Sequence, residues 1–442
     1  MTTPDLFAAI TPQPEVVRFD PTRQAGLARL NTFASRTGQH YASQRNYDFG
    51  PDNRSTVSAL SPWIKHRLIT EEEVLTQTLA RHSTSAAMKF VQEVFWRGYF
   101  KGWLEQHPSV WAAYKSGLNT ALENVERHSS LKTDYIEALS GRTGIACFDH
   151  WCAELKSTGY LHNHARMWFA SIWIFTLRLP WELGAHFFMS HLIDGDVAAN
   201  TLSWRWVGGL HTKGKTYLAR ASNIAQFTGG RFEPAGQLAQ HAEPLVEDID
   251  HPMVPLPQSQ PIPSRNYVLL ITPEDCHPDA ALLDAATGVL GLSPCPAPHQ
   301  SAQIHAFQKG AVTDALARSA GNKDPIAARE GLTPALIQAA KDAGTTHIVT
   351  PRAAIGPIAE KLRDLETQLH AAGLHLHLHE RRYDRVVWPH ASKGFFKLKK
   401  QIPTILSDLG RANFQPFQSL AIQSETVGNE HDGQARTGSG DF

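Results

Sequence analysis

Apolar positions recur with helical spacing through the first half of the chain and as short unbroken runs in its last third. Phe19 to Phe33 carries the first helical period, and a loop rich in Asn, Asp, Gly and Arg follows from Tyr47 to Arg54. RSTVSALSPWIKHRLITEEEVL then supplies a cluster of capping hydroxyls, with Pro62 in a first helical turn. Thr70 and Glu73 have the spacing of a capping box, which predicts a second helix start. Residues 86–105 form a strongly amphipathic helix that places Glu93, Trp96 and Arg97 on one face. Taken alone, Glu93 and Arg97 are a surface ion pair contributing roughly 0.3–0.5 kcal/mol. Asn163, Arg166 and Met167 share another helical face, and Pro180 breaks the pattern after it.

The pattern changes at 244–264, PLVEDIDHPMVPLPQSQPIPS, a proline-rich linker. Beyond it, strand-like Tyr267–Ile271, Val289–Leu292, His347–Thr350 and Leu374–His379 alternate with helical Ala280–Ala286, Ala302–Ala320, Thr333–Ala343 and Ala359–Ala371. Such alternation predicts an α/β domain with a parallel, Rossmann-like sheet. The first strand runs into Thr-Pro-Glu-Asp, so the glycine-rich dinucleotide fingerprint is absent there. The chain divides into a leader (1–14), a helical domain (15–243), the linker (244–264), an α/β domain (265–410) and a flexible tail (411–442).

Composition narrows the function. With 442 residues the chain can bury sizeable cores. Lys+Arg and Asp+Glu both number 42, which argues against a strongly basic nucleic-acid coat but permits a local patch. Cys147, Cys152, Cys276 and Cys295 are too scattered for a disulfide framework or a zinc site, and a reducing cytoplasm is the expected compartment. The N-terminus lacks a signal peptide, and the apolar run from Met167 to Leu179 is too short to span a bilayer, so no membrane partner is expected. His375, His377 and His379 share one face of a strand, yet no cysteine or carboxylate completes a ligand set, and no metal is expected.

The densest chemistry lies in 159–210, where Asn163, Arg166, Asp194, Asp196, Asn200, Trp204 and Trp206 crowd into one stretch. Buried carboxylates are costly unless paired, and Arg166 is the obvious partner of Asp194. Gly159, His162, Asn163, Arg166, Met167, Trp181, Asp194, Gly195, Asp196, Asn200, Trp204 and Trp206 follow one order and spacing. In that order the stretch resembles the flavin-binding helical domain of the DNA photolyase and cryptochrome family. Tyr41 and Arg45, then Ser58, Leu60, Ser61 and Pro62, resemble the family's dinucleotide-phosphate segment, with Val57 where a threonine is usual. Glu93, Trp96 and Arg97 resemble the helix lining the cavity for flavin and lesion, and RTGIACFD leads into the central helix. The resemblance runs from about residue 15 to 210. It fades over HTKGKTYLAR, whose Lys213, Lys215 and Arg220 read as a solvated loop or a phosphate-contacting edge. The C-terminal half resembles the family's α/β domain, which usually comes first, so the two domains stand in exchanged order, as in a circular permutation.

The resemblance implies non-covalent FAD held by Tyr41, Ser58, Leu60, Ser61, Glu93, Arg97, Asn163, Arg166, Asp194, Asp196 and Asn200. Asn200 would face the reactive flavin nitrogen. Trp204 and Trp181 resemble inner members of an electron relay whose outer Trp is missing, leaving Tyr135 or Trp151 as substitutes. Asn163 and Met167 stand where (6-4) photolyases carry histidines, a pattern similar to cyclobutane pyrimidine dimer photolyases. Glu93, Trp96, Asn163, Met167 and Trp206 would then bind a dimer flipped from UV-damaged DNA, and reduced FAD would donate an electron to it. Glu93, Asn200, Trp204 and Trp181 would carry the catalysis of a monomeric lyase. A second, antenna chromophore in the α/β domain is left open. The competing expectations are a cryptochrome-like blue-light photoreceptor and a flavoprotein acting only as a binding module.

Overall fold

The computed structural model describes residues 15–293, 299–319, 321, 324–327 and 331–410. The expected leader, the tail and Cys295 lie outside the described residues. Upstream of the linker the amphipathic stretches form helices α1 (Arg23–Phe33), α2 (Gln39–Gln44), α3 (Ser61–Lys65), α4 (Glu71–Leu79), α5 (Thr84–Gln106) and α6 (Pro108–Arg127). They continue as α7 (Ser129–Ser140), α8 (Ala146–Thr158), α9 (Asn163–Ser171), α10 (Trp181–His191), α11 (Val197–Val207) and α12 (Ala221–Phe227). Local chemistry sets several starts. Pro62 sits in the first turn of α3, and Thr70 with Glu73 forms a complete capping box on α4. The helix entered by α9 loosens into a π-turn at Ile172–Thr176 and stops before Pro180, from which α10 restarts.

Two apolar cores hold these helices. One gathers Leu30, Phe33, Trp63 and Phe95 around α5, and the other gathers Phe148, Trp151, Trp168 and Trp173 around α8–α10. The linker is not a loose tether. It runs extended along the helical domain, with Leu245 N bonded to Gly208 O at 2.9 Å and Val254 N to Gln106 O at 2.8 Å.

Downstream lie β1 (Tyr267–Ile271), α13 (Ala280–Ala285), β2 (Ala286–Ser293), α14 (Ala302–Arg318), β3 (Ile326–Ala327), α15 (Leu332–Asp342), β4 (His347–Pro351) and α16 (Pro357–Ala371). β5 (His375–His379), α17 (Arg382–Val387) and α18 (Phe395–Asp408) complete the described order. The strands pair in parallel in the order β3-β2-β1-β4-β5, so the expected α/β class is what the domain has. β1 is buried along its whole length, as a central strand covered on both faces must be. The β5 imidazoles do not converge: His377 Nε2 meets His347 Nδ1 at 3.0 Å, while His379 Nε2 meets Asp279 at 3.1 Å. Among the described residues no group of three or more His, Cys, Asp or Glu side chains is placed to hold a metal ion. No described helix is long and apolar enough to cross a membrane.

The two domains meet through buried charge and apolar packing. Arg67 grips both Asp384 oxygens at 2.7 Å and lies 3.6 Å from Asp275, which follows β1 and is held in turn by Arg381. Gly102 of α5 lets Trp388 approach so closely that a Cβ there would meet its backbone at 2.8 Å. This docking brings α18 onto α5, the helix that carries Glu93, Trp96 and Arg97.

Candidate functional site

Helices α3, α5, α9 and α11, with the segment 57–61, enclose a single cavity. Its lining includes Tyr41, Ser58, Leu60, Ser61, Glu93, Trp96, Arg97, Asn163, Arg166, Met167, Asp194, Asp196, Asn200, Trp204 and Trp206. Of the residues expected to bind flavin or dimer or to carry the catalysis, Trp181 alone is not on this wall. Val57 lines it too, where a hydroxyl was expected to be missing. Ala59 adopts a left-handed conformation at φ 51°, a strained choice for a residue with a Cβ, costing roughly 1–3 kcal/mol. That kink turns the chain from Ser58 into α3 and presents Ser61 to the cavity.

The carboxylates are arranged differently from each other. Asp194 Oδ2 accepts from the Ser61 hydroxyl and from Arg166 Nη2, the latter at 2.9 Å. Its Oδ1 is buried without a protein partner. Asp196 caps α11 by accepting from Ala199 N at 2.9 Å and lies 3.4 Å from Lys101 Nζ. Burial pushes the Asp196 carboxyl up, but the Lys101 and Arg97 cations outweigh it and hold it well below the usual carboxylate range. Burial raises the Tyr41 phenol well above its ordinary value, and the nearby Glu93 carboxylate adds to this, so Tyr41 stays a neutral donor. Asn200 is fixed by its Nδ2 donating to Ala185 O at 2.9 Å.

Glu93 does not pair with Arg97, which corrects the pairing expected from local spacing. Its carboxylate instead takes Arg45 Nη1 at 2.9 Å, from a helix far back in the chain. Arg97 is thereby released toward the cavity, where its Nε and Nη2 are buried without a hydrogen-bonding partner. Trp204 Nε1 is in the same condition on the opposite wall. Each such buried polar atom costs about 1–3 kcal/mol unless a ligand satisfies it.

Sequence reasoning missed four contributors. Lys101 was within reach, because it stands four residues after Arg97 on the same face of α5. Phe395 of α18 was not: it stacks on Trp96 with centroids 3.6 Å apart at 12°. Tyr217 similarly backs Trp206 at 5.5 Å and 28°. Trp173 meets Trp204 edge-on at 6.2 Å, whereas Trp181 lies against Tyr114 at 5.5 Å and under the Arg205 guanidinium.

Residues 90–275 match the family model described as the FAD binding domain of DNA photolyase. The chain is similar to the deoxyribodipyrimidine photo-lyase of Escherichia coli (strain K12), 28% identical over 243 residues, 53% of this chain and 49% of that protein. It is also similar to that of Synechococcus sp. (strain ATCC 27144), 32% identical over 197 residues, 42% of this chain and 38% of that protein. Among solved structures, a bacterial class III photolyase from Agrobacterium tumefaciens aligns with TM-score 0.39 and 24% identity, over 47% of this chain and 43% of that one. The chain spans about half the length of the curated relatives it matches.

Proposed function

Because the chain belongs to the photolyase and cryptochrome family and carries that family's FAD-binding domain, we propose that it repairs cyclobutane pyrimidine dimers in UV-damaged DNA under light. The observation that supports this reading is one cavity with two chemically distinct zones. Asp194, Asp196 and Asn200 are buried in it beside the unsatisfied atoms of Arg97, whereas Glu93, Trp96, Met167 and Trp206 are half-buried and Asn163 is exposed.

The inner zone fits FAD, a large polar cofactor with many donors and acceptors. Asp194 Oδ1 is an acceptor lacking a partner, and Arg97 Nε and Nη2 are donors lacking one. Ser58, Ser61 and the neutral Tyr41 add hydroxyls along the same wall. When bound, FAD supplies the light-absorbing redox group from which an electron can pass to substrate. The chain's own residues hold, aim and shield it. Lys101 and Arg97 keep Asp196 ionised, and Asn200, tied to Ala185 O, presents an amide that neither adds nor removes charge. An aspartate at that position would oppose added negative charge on its neighbour.

The half-buried zone suits a base pair extruded from the duplex. Trp96, backed by Phe395, and Trp206, backed by Tyr217, offer rigid aromatic faces. Stacking on such faces is worth roughly 1–3 kcal/mol per base. Glu93, paired with Arg45, meets the polar edge of the bases, and Met167 packs beside them. We read the C-terminal sheet domain as the counterpart of the α/β domain that usually precedes the flavin domain. Its docking on α5 through Trp388 and α18 gives that exchanged order a structural role, since α18 brings Phe395 against Trp96.

The test is a repair assay with fully reduced flavin, run under blue light on a cyclobutane dimer and on a (6-4) lesion in parallel. Repair of the dimer alone is expected, with Glu93→Gln cutting repair more than affinity and Trp96→Ala cutting affinity first. Normal flavin content and photoreduction without dimer repair would move the protein to the photoreceptor class.

A further inference from the structure

The stretch HTKGKTYLAR, over which the resemblance fades in the sequence, is a preformed loop. It leaves the end of α11 and folds straight back onto it. His211 N and Leu210 N both donate to Arg205 O, at 3.1 and 2.8 Å, and Tyr217 N donates to Val207 O at 3.1 Å. Gly214 N closes the turn onto Gly209 O at 3.0 Å, both glycines having left-handed backbones that a side chain would strain.

Both ends of this loop rest on the aromatic groups that surround the cavity's indoles. At one end the His211 ring meets the Tyr99 hydroxyl at 3.2 Å, and Tyr99 packs edge-on against Trp96 at 5.3 Å. At the other end Tyr217 stacks on Trp206. Between these anchors Lys213 and Lys215 are exposed, and Arg220 follows, also exposed. Among the described residues no carboxylate pairs with any of the three. The cations in and around the cavity are used differently: Arg45, Arg166 and Lys101 are committed to Glu93, Asp194 and Asp196, and Arg97 lines the cavity.

The geometry points to the 211–220 loop as the surface that grips the sugar-phosphate backbone of the DNA strand beside the extruded bases. This rests on the DNA-repair reading above and adds to it where the strand is held. A chain with formal net charge zero has no general basic coat, so its phosphate contacts must come from local cations, and these stand on a loop anchored to Trp206 and, through Tyr99, to Trp96. Because the loop is already closed by its own hydrogen bonds, little ordering entropy opposes binding there. Phosphate contacts fix position without reading bases, so the loop adds affinity equally to damaged and undamaged strands.

The experiment measures binding of the flavin-loaded protein to one duplex, with and without a central cyclobutane dimer, over a salt series. The parent is compared with the Lys213→Gln/Lys215→Gln double variant. The slope of log affinity against log salt is expected to fall by about one to two, since each neutralised phosphate contributes about 0.9. The dimer-over-undamaged preference, flavin content and photoreduction should stay at parent values. A variant with the parent's slope on DNA that the parent binds overturns the loop assignment and leaves the repair reading intact. A parent that binds both duplexes equally, with a slope still reduced in the variant, sinks the repair reading and keeps the loop assignment. A parent that binds neither duplex ends both.

Discussion

Asp194 is the residue on which flavin retention is expected to turn. Its Oδ2 is engaged by Ser61 and Arg166, and its Oδ1 is left to the cavity. Asp194→Ala strips the carboxylate from Arg166 and removes the acceptor at once, a loss worth several kcal/mol for a buried pair. The variant is expected to purify with little or no FAD, read from its visible absorbance, whereas Asp194→Asn should keep part of it through the Ser61 contact. Undiminished flavin in the alanine variant would show that Asp194 does not hold it. Trp204 poses a second residue-scale question. The indole in ring contact with it is Trp173, which in turn meets the half-buried Tyr135 edge-on at 6.1 Å. If photoreduction draws on this stack, Trp173→Phe should slow it several-fold more than Trp181→Phe, at equal flavin content. The reverse order would restore Trp181 to the relay.

At the scale of elements, α10 and α11 cross at Gly184. A Cβ there would run into Cη2 and Cζ3 of Trp204 and approach Trp173 at 3.0 Å. Gly184→Ala would gain about 1 kcal/mol of helix propensity, yet overpacking costs about 1–3 kcal/mol and pushes the indole off the cavity wall. Lower unfolding midpoints in denaturant, together with altered photoreduction, are expected; an unchanged or higher midpoint would mean that the helices can part without penalty. Element-level structure was the most legible part of the chain. Thr70 and Glu73 made the capping box their spacing required, and the run Tyr267–Ile271 became β1 with the same bounds. Both depend on neighbours a few residues away, which is the range over which sequence pattern carries direct information.

For the molecule as a whole, buried neutral histidines set an acid limit. Burial pushes His162 down to about 3, and nearby His164, Arg54 and Arg166 add to it. The ring also accepts from His164 N through Nδ1 at 3.1 Å, a cap that protonation would destroy. Burial likewise lowers His211 to about 4. These groups take a proton in the unfolded chain near the ordinary value of about 6.5 but refuse it when folded. Stability is therefore full above that value and falls as pH drops from it toward the folded values. His162→Asn keeps an N-cap acceptor and removes the titration. Between about pH 7 and about pH 5 the variant should lose about 2 kcal/mol less than the parent in denaturant unfolding. An identical loss in both would mean that His162 is solvated in the native state.

The sequence by itself determined the two-class architecture and the parallel sheet, and its family resemblance named most of the polar and indole side chains that share the cavity. The architecture follows from periodicity and caps within single segments, the cavity residues from what the resemblance implies. Only the tertiary structure decided which charges answer each other and which rings touch. Local spacing favoured Glu93 with Arg97, yet Glu93 pairs with Arg45, 48 residues away, and Arg97 turns to the cavity. Trp181 and Trp204 are close in sequence, but the helix break at Pro180 sends Trp181 toward Tyr114 and leaves Trp173 beside Trp204. Phe395 reaches Trp96 only because the C-terminal domain docks on α5. Such contacts are settled by packing between segments that fold far apart in the chain, where one sequence read alone carries no distance information.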